Sequence, residues 1–118
     1  MSNALLRPAL LAALAGGPQH GYGLLRTVES ITAGQISPAV GSLYRVIDAL
    51  ARDGLIEIDH EETVDGRLRR YYRLSESGRA ELALVTDTVS RMAAHVRAQA
   101  EPSKPVGSTA ALTFGAAV

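Results

Sequence analysis

The sequence predicts a mainly α-helical fold with a small β-hairpin. Apolar residues recur at spacings of three and four in three stretches before residue 53 and in one stretch after residue 75, which is the period of an amphipathic helix. Residues 56–74 instead alternate apolar and polar side chains on either side of Asp65-Gly66. That dipeptide is among the strongest signals for a hairpin turn. Three helices, one hairpin and a long final helix are therefore expected in this order.

Two short helices are predicted before residue 32. Residues 4–15 carry leucines on one face, and Gly16-Gly17-Pro18 ends this helix because glycine and proline do not continue a helix cheaply. A second helix is expected from about Gly21 to about Ile31, and His20 is expected to cap it. Its inner face is predicted to hold Tyr22, Leu25, Val28 and Glu29.

The third helix is expected to begin at Ser37. The Ser37 hydroxyl can accept a hydrogen bond from a free amide of the first turn, and Pro38 suits the first helical position. Gly54 is placed to end the helix in a left-handed conformation. Ser42 and Arg45 lie on the outward face. The inner face is predicted to hold Val40, Leu43, Tyr44, Ile47, Leu50 and Ala51.

The hairpin that follows this helix has a basic return strand, with four arginines and no acid in residues 67–73. A helix followed at once by a basic hairpin is the layout of a winged helix-turn-helix. Such a domain lays a helix in the DNA major groove and a wing on the flanking backbone. The predicted DNA-binding residues are Pro38, Ser42, Tyr44, Arg45, Arg67 and Arg69.

Each of these residues also has a structural explanation. Tyr44 is equally well explained as an aromatic at the rim of the core. Ser42 and Arg45 are explained by solvation of a helix surface, although we favour DNA contact. Glu61 and Glu62 on the opposite strand can neutralise part of the arginine run, and the role of Arg73 is left open.

A long fourth helix is predicted after Ser75, which is placed to cap it. Gly78 is expected to weaken its first turn. A helix of about 24 residues is roughly 36 Å long, more than a small three-helix core needs, so we expect it to pair with a second copy in a homodimer. The dimerisation residues, spaced three and four apart, are Leu82, Val85, Val89, Met92 and Val96. The predicted organisation is a winged-helix domain over 1–74, a C-terminal dimerisation helix over 75–100 and a flexible tail over 101–118.

Composition limits the classes of function. Twelve basic and twelve acidic residues cancel, which counts against nucleic-acid binding except where the arginines are concentrated. The sequence has no cysteine, which excludes disulfides and catalytic thiolates. Its three histidines lack metal-ligand spacing, and no nucleophile motif is present, so we expect no metal, no cofactor and no enzyme. No signal-peptide pattern and no bilayer-length apolar run are found, so the cytoplasm is the expected location and no membrane is an expected partner.

Several motifs together resemble the PadR family of bacterial transcriptional regulators, in particular its short form. The motifs are GPQHGYGLL (17–25), GSLYRVIDAL (41–50), DGLI (53–56) and GRLRRYYRLSESGR (66–79). The similarity covers about residues 5–98. The resemblance implies a winged-helix domain that binds double-stranded DNA, a C-terminal dimerisation helix, and a repressor role often relieved by a small molecule. In this family the serine-proline and leucine-tyrosine elements commonly lie closer together, so Ala39-Val40 looks like an extension.

The sequence therefore favours a homodimeric repressor of an inverted-repeat operator, with an unidentified small-molecule effector as a further partner. One alternative is a winged-helix module that binds proteins and not DNA, which the neutral net charge favours. A second is a sensor that binds a hydrophobic small molecule at the dimer seam. The absence of tryptophan and the single Phe114 argue against stacking of such a ligand.

Overall fold

The computed structural model describes residues 4–100. Four helices and a three-stranded antiparallel sheet form in this part of the chain. The predicted order is observed: three helices come first, then the wing, then the long helix. The elements are α1 Leu6–Ala13 with a following 3₁₀ turn Leu14–Gly16, β1 Gln19–His20, α2 Gly21–Ile31, α3 Val40–Arg52, β2 Ile56–Val64, β3 Arg67–Leu74 and α4 Glu76–Ala100. The predicted fold class is confirmed. The predicted tail lies outside the described residues.

The core lies where α1, α2 and α3 meet the base of the sheet. Its fully buried side chains are apolar and come from helix positions three or four residues apart. They are Leu6, Leu10 and Leu11 of α1, Leu24 and Val28 of α2, and Leu43, Ile47 and Leu50 of α3. Ile56 and Leu74, paired across β2 and β3, close the core from the sheet. The three helices are thereby held in the helix-turn-helix arrangement.

The start of α3 corrects one prediction. The helix begins at Val40, with Ala39 extended before it, and Ser37 does not cap it. The Ser37 hydroxyl instead donates to the carboxylate of Glu29 on α2. In the same turn Thr32 accepts the amide of Ile36 at 3.1 Å. The connection is therefore tied back to α2. Because the helix starts at Val40 with Ala39 at the capping position, Ser37 lies two residues too early to cap it.

The hairpin turn follows the sequence prediction. Asp65 and Gly66 have φ of 52° and 77°, the positive values that a two-residue type I′ turn requires at both central positions. Val64 pairs with Arg67 beside the turn, and regular pairing continues to His60 and Tyr71. Between Ile58 and His60 the register shifts by one residue, which is a β-bulge. Gln19 and His20 of β1 add a third strand along β3.

The first turn of α4 packs closely on the chain that leaves α3. Ser75 caps the helix as predicted, accepting the Gly78 amide at 3.0 Å, and its own hydroxyl donates to Gly54 O at 2.6 Å. A Cβ on Gly78 would lie 1.9 Å from the carbonyl oxygen of Leu55. Glycine is thus required here by contact with backbone, and the helix is regular from Glu76 onward.

Within residues 4–100 the chain divides after Val85 into two compact units. The boundary predicted at residue 74 stays a prediction. In the first unit Leu82 packs against the core and Val85 is half-buried. In the second unit Val89, Met92 and Val96 are each more than half exposed.

Candidate nucleic-acid interface

A groove of about 910 Å³ separates β3 from the start of α2 and from α3. Tyrosine, histidine and arginine side chains dominate its walls, a composition suited to a phosphate backbone. The lining residues are His20, Gly21, Tyr22, Tyr44, Val64, Asp65, Arg67, Leu68, Arg69, Arg70 and Tyr72. Three of the predicted DNA-binding residues, Tyr44, Arg67 and Arg69, are brought together here.

Two arginines of the wing are neutralised by the neighbouring strand. Arg70 Nε donates to the carboxylate of Glu61 at 3.0 Å. Arg73 donates to Glu57 at 2.9 Å and to Asp59 at 3.0 Å. These carboxylates raise the pKa of both guanidinium groups. Arg70 and Arg73 are therefore already paired on the protein surface.

Arg67 and Arg69 differ from this pair. Over residues 4–100 neither of them forms an ion pair. Arg67 is exposed beside the turn and Arg69 is half-buried along the groove. Their positive charge is thus available to an anion in the groove.

Tyr44 joins α3 to the start of α2. Its hydroxyl lies so near the backbone of Gly21 that a Cβ there would be 2.2 Å from the oxygen. Gly21 is therefore the residue that lets the ring reach across. Tyr44 was predicted on the inner face, but its side chain is exposed at the groove. Val40, also predicted on the inner face, is exposed at the start of the helix. Tyr44 can present its hydroxyl to a phosphate from this position.

The remaining predicted residues lie outside the groove lining. Arg45 Nη2 donates to Ser42 Oγ at 3.3 Å on α3, and Arg45 is exposed while Ser42 is half-buried. Pro38 is half-buried in the connection before α3, two residues before Val40, where the helix begins. Arg45 is thus held on the helix surface with its guanidinium free of carboxylates among residues 4–100.

Tyr22 is a candidate residue that sequence analysis missed. It was predicted on the inner face of α2, but it is 60% exposed and lines the groove. The Arg26 guanidinium lies 5.8 Å from its ring centroid, within the range of a cation–π contact. The buried stripe of α2 is Leu24 and Val28, four residues apart. Tyr22 lies two residues before Leu24 and therefore on the opposite side of the helix. This spacing in the sequence could have indicated that Tyr22 is exposed.

His20 caps α2, as predicted. Its Nδ1 accepts the Gly23 amide at 3.2 Å, which requires a neutral ring with its proton on Nε2. Partial burial lowers the pKa of His20, and the charges of Arg69 and Arg26 lower it further against the opposing effect of Glu62. The ring meets Tyr71 edge-on with centroids 5.2 Å apart. A neutral cap thus links α2 to the wing.

His60 contacts the same tyrosine, but its pKa is shifted in the opposite direction from that of His20. Its ring stacks on Tyr71 with centroids 4.4 Å apart. Nδ1 lies 2.6 Å from Asp59 and Nε2 lies 3.2 Å from Glu62. The hydrogen bond with Asp59 raises the pKa of His60, and Glu62 adds to it. Protonated His60 therefore strengthens the outer strand of the wing.

Within the described part of the chain neither a metal site nor a membrane-spanning helix is indicated. Among residues 4–100 no three histidine, aspartate, glutamate or cysteine side chains are grouped so as to hold a metal ion. No helix within the same residues combines the length and the apolar character that a membrane crossing demands.

Three helices, a wing formed by β2 and β3, and a basic groove beside α3 define the winged helix-turn-helix class. The model of the transcriptional regulator PadR-like family matches residues 10–84, and the chain belongs to this family. The predicted resemblance is thereby confirmed. The chain is 37% identical over 57 residues to the transcriptional regulator YqjI of Escherichia coli K12, a match that covers 48% of this chain and 28% of the relative. The chain therefore corresponds to little more than a quarter of that protein.

Solved structures share the fold. The crystal structure of smu.1704 from Streptococcus mutans UA159 has a TM-score of 0.72 at 24% identity, covering 88% of this chain and 93% of that one. A PadR family regulator from Eggerthella lenta has a TM-score of 0.67 at 23% identity, covering 86% of each chain. Bacillus subtilis PadR in complex with operator DNA has a TM-score of 0.60 at 22% identity, covering 67% of this chain and 45% of that one.

Proposed function

We propose that this protein is a sequence-specific DNA-binding transcriptional regulator that acts in the cytoplasm. The observation that carries the proposal is the state of the wing arginines. Within residues 4–100, Arg67 and Arg69 form no ion pair, whereas Arg70 and Arg73 are bonded to three acids of the wing, Glu57, Asp59 and Glu61. The similar fold of Bacillus subtilis PadR, whose structure is a complex with operator DNA, supports the same partner.

The proposed contacts divide into two kinds. Arg67, Arg69 and the Tyr44 hydroxyl contact phosphates in the groove and set the position of the protein on the duplex. Arg45, on the outer face of α3, reaches base edges in the major groove, where arginine recognises guanine. Tyr22, exposed at the groove, joins the phosphate contacts.

Salt dependence tests the proposal. A duplex selected from random sequence would be titrated with the protein at several salt concentrations, with fluorescence anisotropy as the measurement. Each phosphate contact contributes about 0.9 to the slope of log affinity against log salt. Two arginines in each of two protomers predict a slope of about −3.6 or steeper. A slope near zero would contradict DNA binding, and failure to select any sequence from the random pool would contradict sequence specificity.

A protein-binding winged-helix module is the second candidate, because twelve basic and twelve acidic residues leave no net charge. The charge distribution favours DNA, because within residues 4–100 the wing arginines Arg67 and Arg69 form no ion pair and line the groove. Seven other wing groups form ion pairs with one another: Glu57, Asp59, His60, Glu61, Glu62, Arg70 and Arg73. A flat salt slope together with failure of sequence selection would favour the protein-binding module.

We further propose a homodimer that represses transcription from an inverted-repeat operator and is released by a small molecule. Family resemblance supports repression and an effector. The exposed apolar positions Val89, Met92 and Val96 support pairing of two α4 helices, because soluble monomers tend to avoid such patches. A two-fold dimer that presents two α3 helices about one DNA turn apart, roughly 34–36 Å, would match two half-sites.

Val89→Asp tests the dimer. It places a charge in the middle of the predicted seam, where burial without a partner is costly. We expect this variant to be monomeric and to lose affinity for the selected duplex much more than for random DNA. Leu84→Asp is the matched control, since Leu84 is exposed on α4 but lies off the seam. Light scattering at several concentrations measures both, and a parent that is monomeric at micromolar concentration yet binds specifically would refute the dimer.

A further inference from the structure

The first turn of α3 is small, apolar and open. Ala39 and Val40 are exposed, and Val40 retains 54% of its accessible surface although it is β-branched and apolar. Gly41 follows, and a Cβ built on it meets only the tip of Arg45, at 4.0 Å. The turn contains no acidic residue, and no side chain caps it. Nothing on this turn prevents close approach of a polyanion.

Val40 lies on the surface that the proposed function directs at DNA. It precedes Tyr44 by four residues, so the two side chains lie one above the other on the same side of α3. Tyr44 lines the groove with Arg67 and Arg69. Single exposed apolar side chains are common on proteins, and the informative feature here is the position of Val40 at the end of the presumed recognition helix, where base contacts are made.

DNA offers an apolar side chain a restricted choice of partner at this place. The edges of base pairs in the major groove carry hydrogen-bond donors and acceptors and one apolar group, the 5-methyl group of thymine. The methyl group neither donates nor accepts a hydrogen bond, so an apolar side chain such as valine can pack against it, whereas burial of valine against a donor or acceptor would leave that polar group unsatisfied. The neighbouring glycine lets the helix backbone come near enough for a short side chain to reach.

We propose that Val40 is a specificity-determining residue that recognises the 5-methyl group of a thymine in each operator half-site. The proposal rests on the DNA-binding function proposed above. It predicts a contact that depends on a methyl group and on no hydrogen bond, in addition to the polar contacts of Arg45.

Replacement of thymine by deoxyuridine tests the contact, because it removes the methyl group and leaves base pairing unchanged. Each thymine of the selected duplex would be replaced in turn and the affinity measured by anisotropy. For the parent protein we expect one position in each half-site to lose about fourfold, the effect of one buried methyl group. For Val40→Ala the same replacement should cost less than twofold, while the rest of the profile is unchanged.

Leu84→Ala is the control for a general loss of apolar surface, since Leu84 is exposed on α4 and should keep the deoxyuridine profile of the parent. Val40→Ala should fold, because an exposed valine contributes little packing and alanine favours the helix. A parent insensitive to every deoxyuridine, or a Val40→Ala profile identical to that of the parent, would overturn the inference and leave the proposed function standing. Absence of specific binding by the parent would overturn both.

Discussion

Two pairs of arginines on β3 allow the wing to be tested with two variants that have the same net charge as each other. We expect the double substitution of Arg67 and Arg69 by alanine to weaken DNA binding far more than the same double substitution of Arg70 and Arg73. Both variants lose two positive charges, so any effect of net charge is equal. Only the first pair is free of carboxylates in the described chain, because Arg70 and Arg73 are bonded across the wing.

The magnitude follows from counterion release. A phosphate contact contributes about 0.9 to the salt slope, so at 0.1 M salt one lost contact lowers affinity about eightfold. For each protomer, loss of Arg67 and Arg69 should lower the affinity about 60-fold and flatten the salt slope by up to about two units. Loss of Arg70 and Arg73 should change the slope by much less, since neither guanidinium displaces a counterion from phosphate while it is paired.

Anisotropy titrations of parent and both variants, on the selected duplex and on random DNA, would measure these effects. The loss for the Arg67 and Arg69 variant should be similar on both DNAs, because phosphate contacts carry no sequence information. Thermal unfolding of each variant serves as the folding control. Equal losses of affinity and slope for the two variants would refute the division of the arginines into free and paired, and no loss for either would remove the wing from the contact surface.

Three further predictions concern other parts of the chain. Arg45→Ala should cost roughly 1–3 kcal/mol on the selected duplex and less on random DNA, as for a base contact; equal losses in the same titrations would make Arg45 a phosphate contact. Gly78→Ala should lower the free energy of unfolding by about 2 kcal/mol, because the overpacking cost exceeds the gain in helix propensity. Gly41→Ala, the same change in open space, should raise it by about 0.5–1 kcal/mol, and denaturant titrations that gave both changes the same sign would contradict the close contact. The raised pKa of His60 means that its stabilising contribution is fully present below the usual value of 6.5 and is lost as pH rises through the folded-state pKa. The parent should therefore exceed His60→Gln in stability by more at about pH 5.5 than at about pH 8.5, and a constant difference in unfolding titrations would refute this.

The elements that sequence analysis predicted well are those governed by local chemistry. The hairpin turn depends on two adjacent residues, Asp65 and Gly66, that tolerate positive φ. The cap of α2 by His20 and that of α4 by Ser75 each depend on a side chain three residues from the amide it accepts. Such interactions close within one turn of chain, so their sequence pattern is sufficient.

The predictions that failed concern competition between partners distant in the chain. Ser37 has the chemistry of a helix cap, but its hydroxyl donates to Glu29 of α2 and the helix starts only at Val40. Tyr22 was assigned to the inner face of α2, whereas the side of the helix that packs on the core carries Leu24 and Val28. Gly78 looks like a weak point of a helix until the carbonyl of Leu55 is found against it.

The sequence by itself determined the family, the order of the elements and the concentration of arginines in the wing. Tertiary structure decided which of those arginines are free. The bulge between Ile58 and His60 shifts the pairing by one residue, so that Glu57 faces Arg73 and Asp59 also reaches it. Charge pairing depends on distances across the sheet, and the register that sets those distances is a property of the packed strands and not of either strand alone.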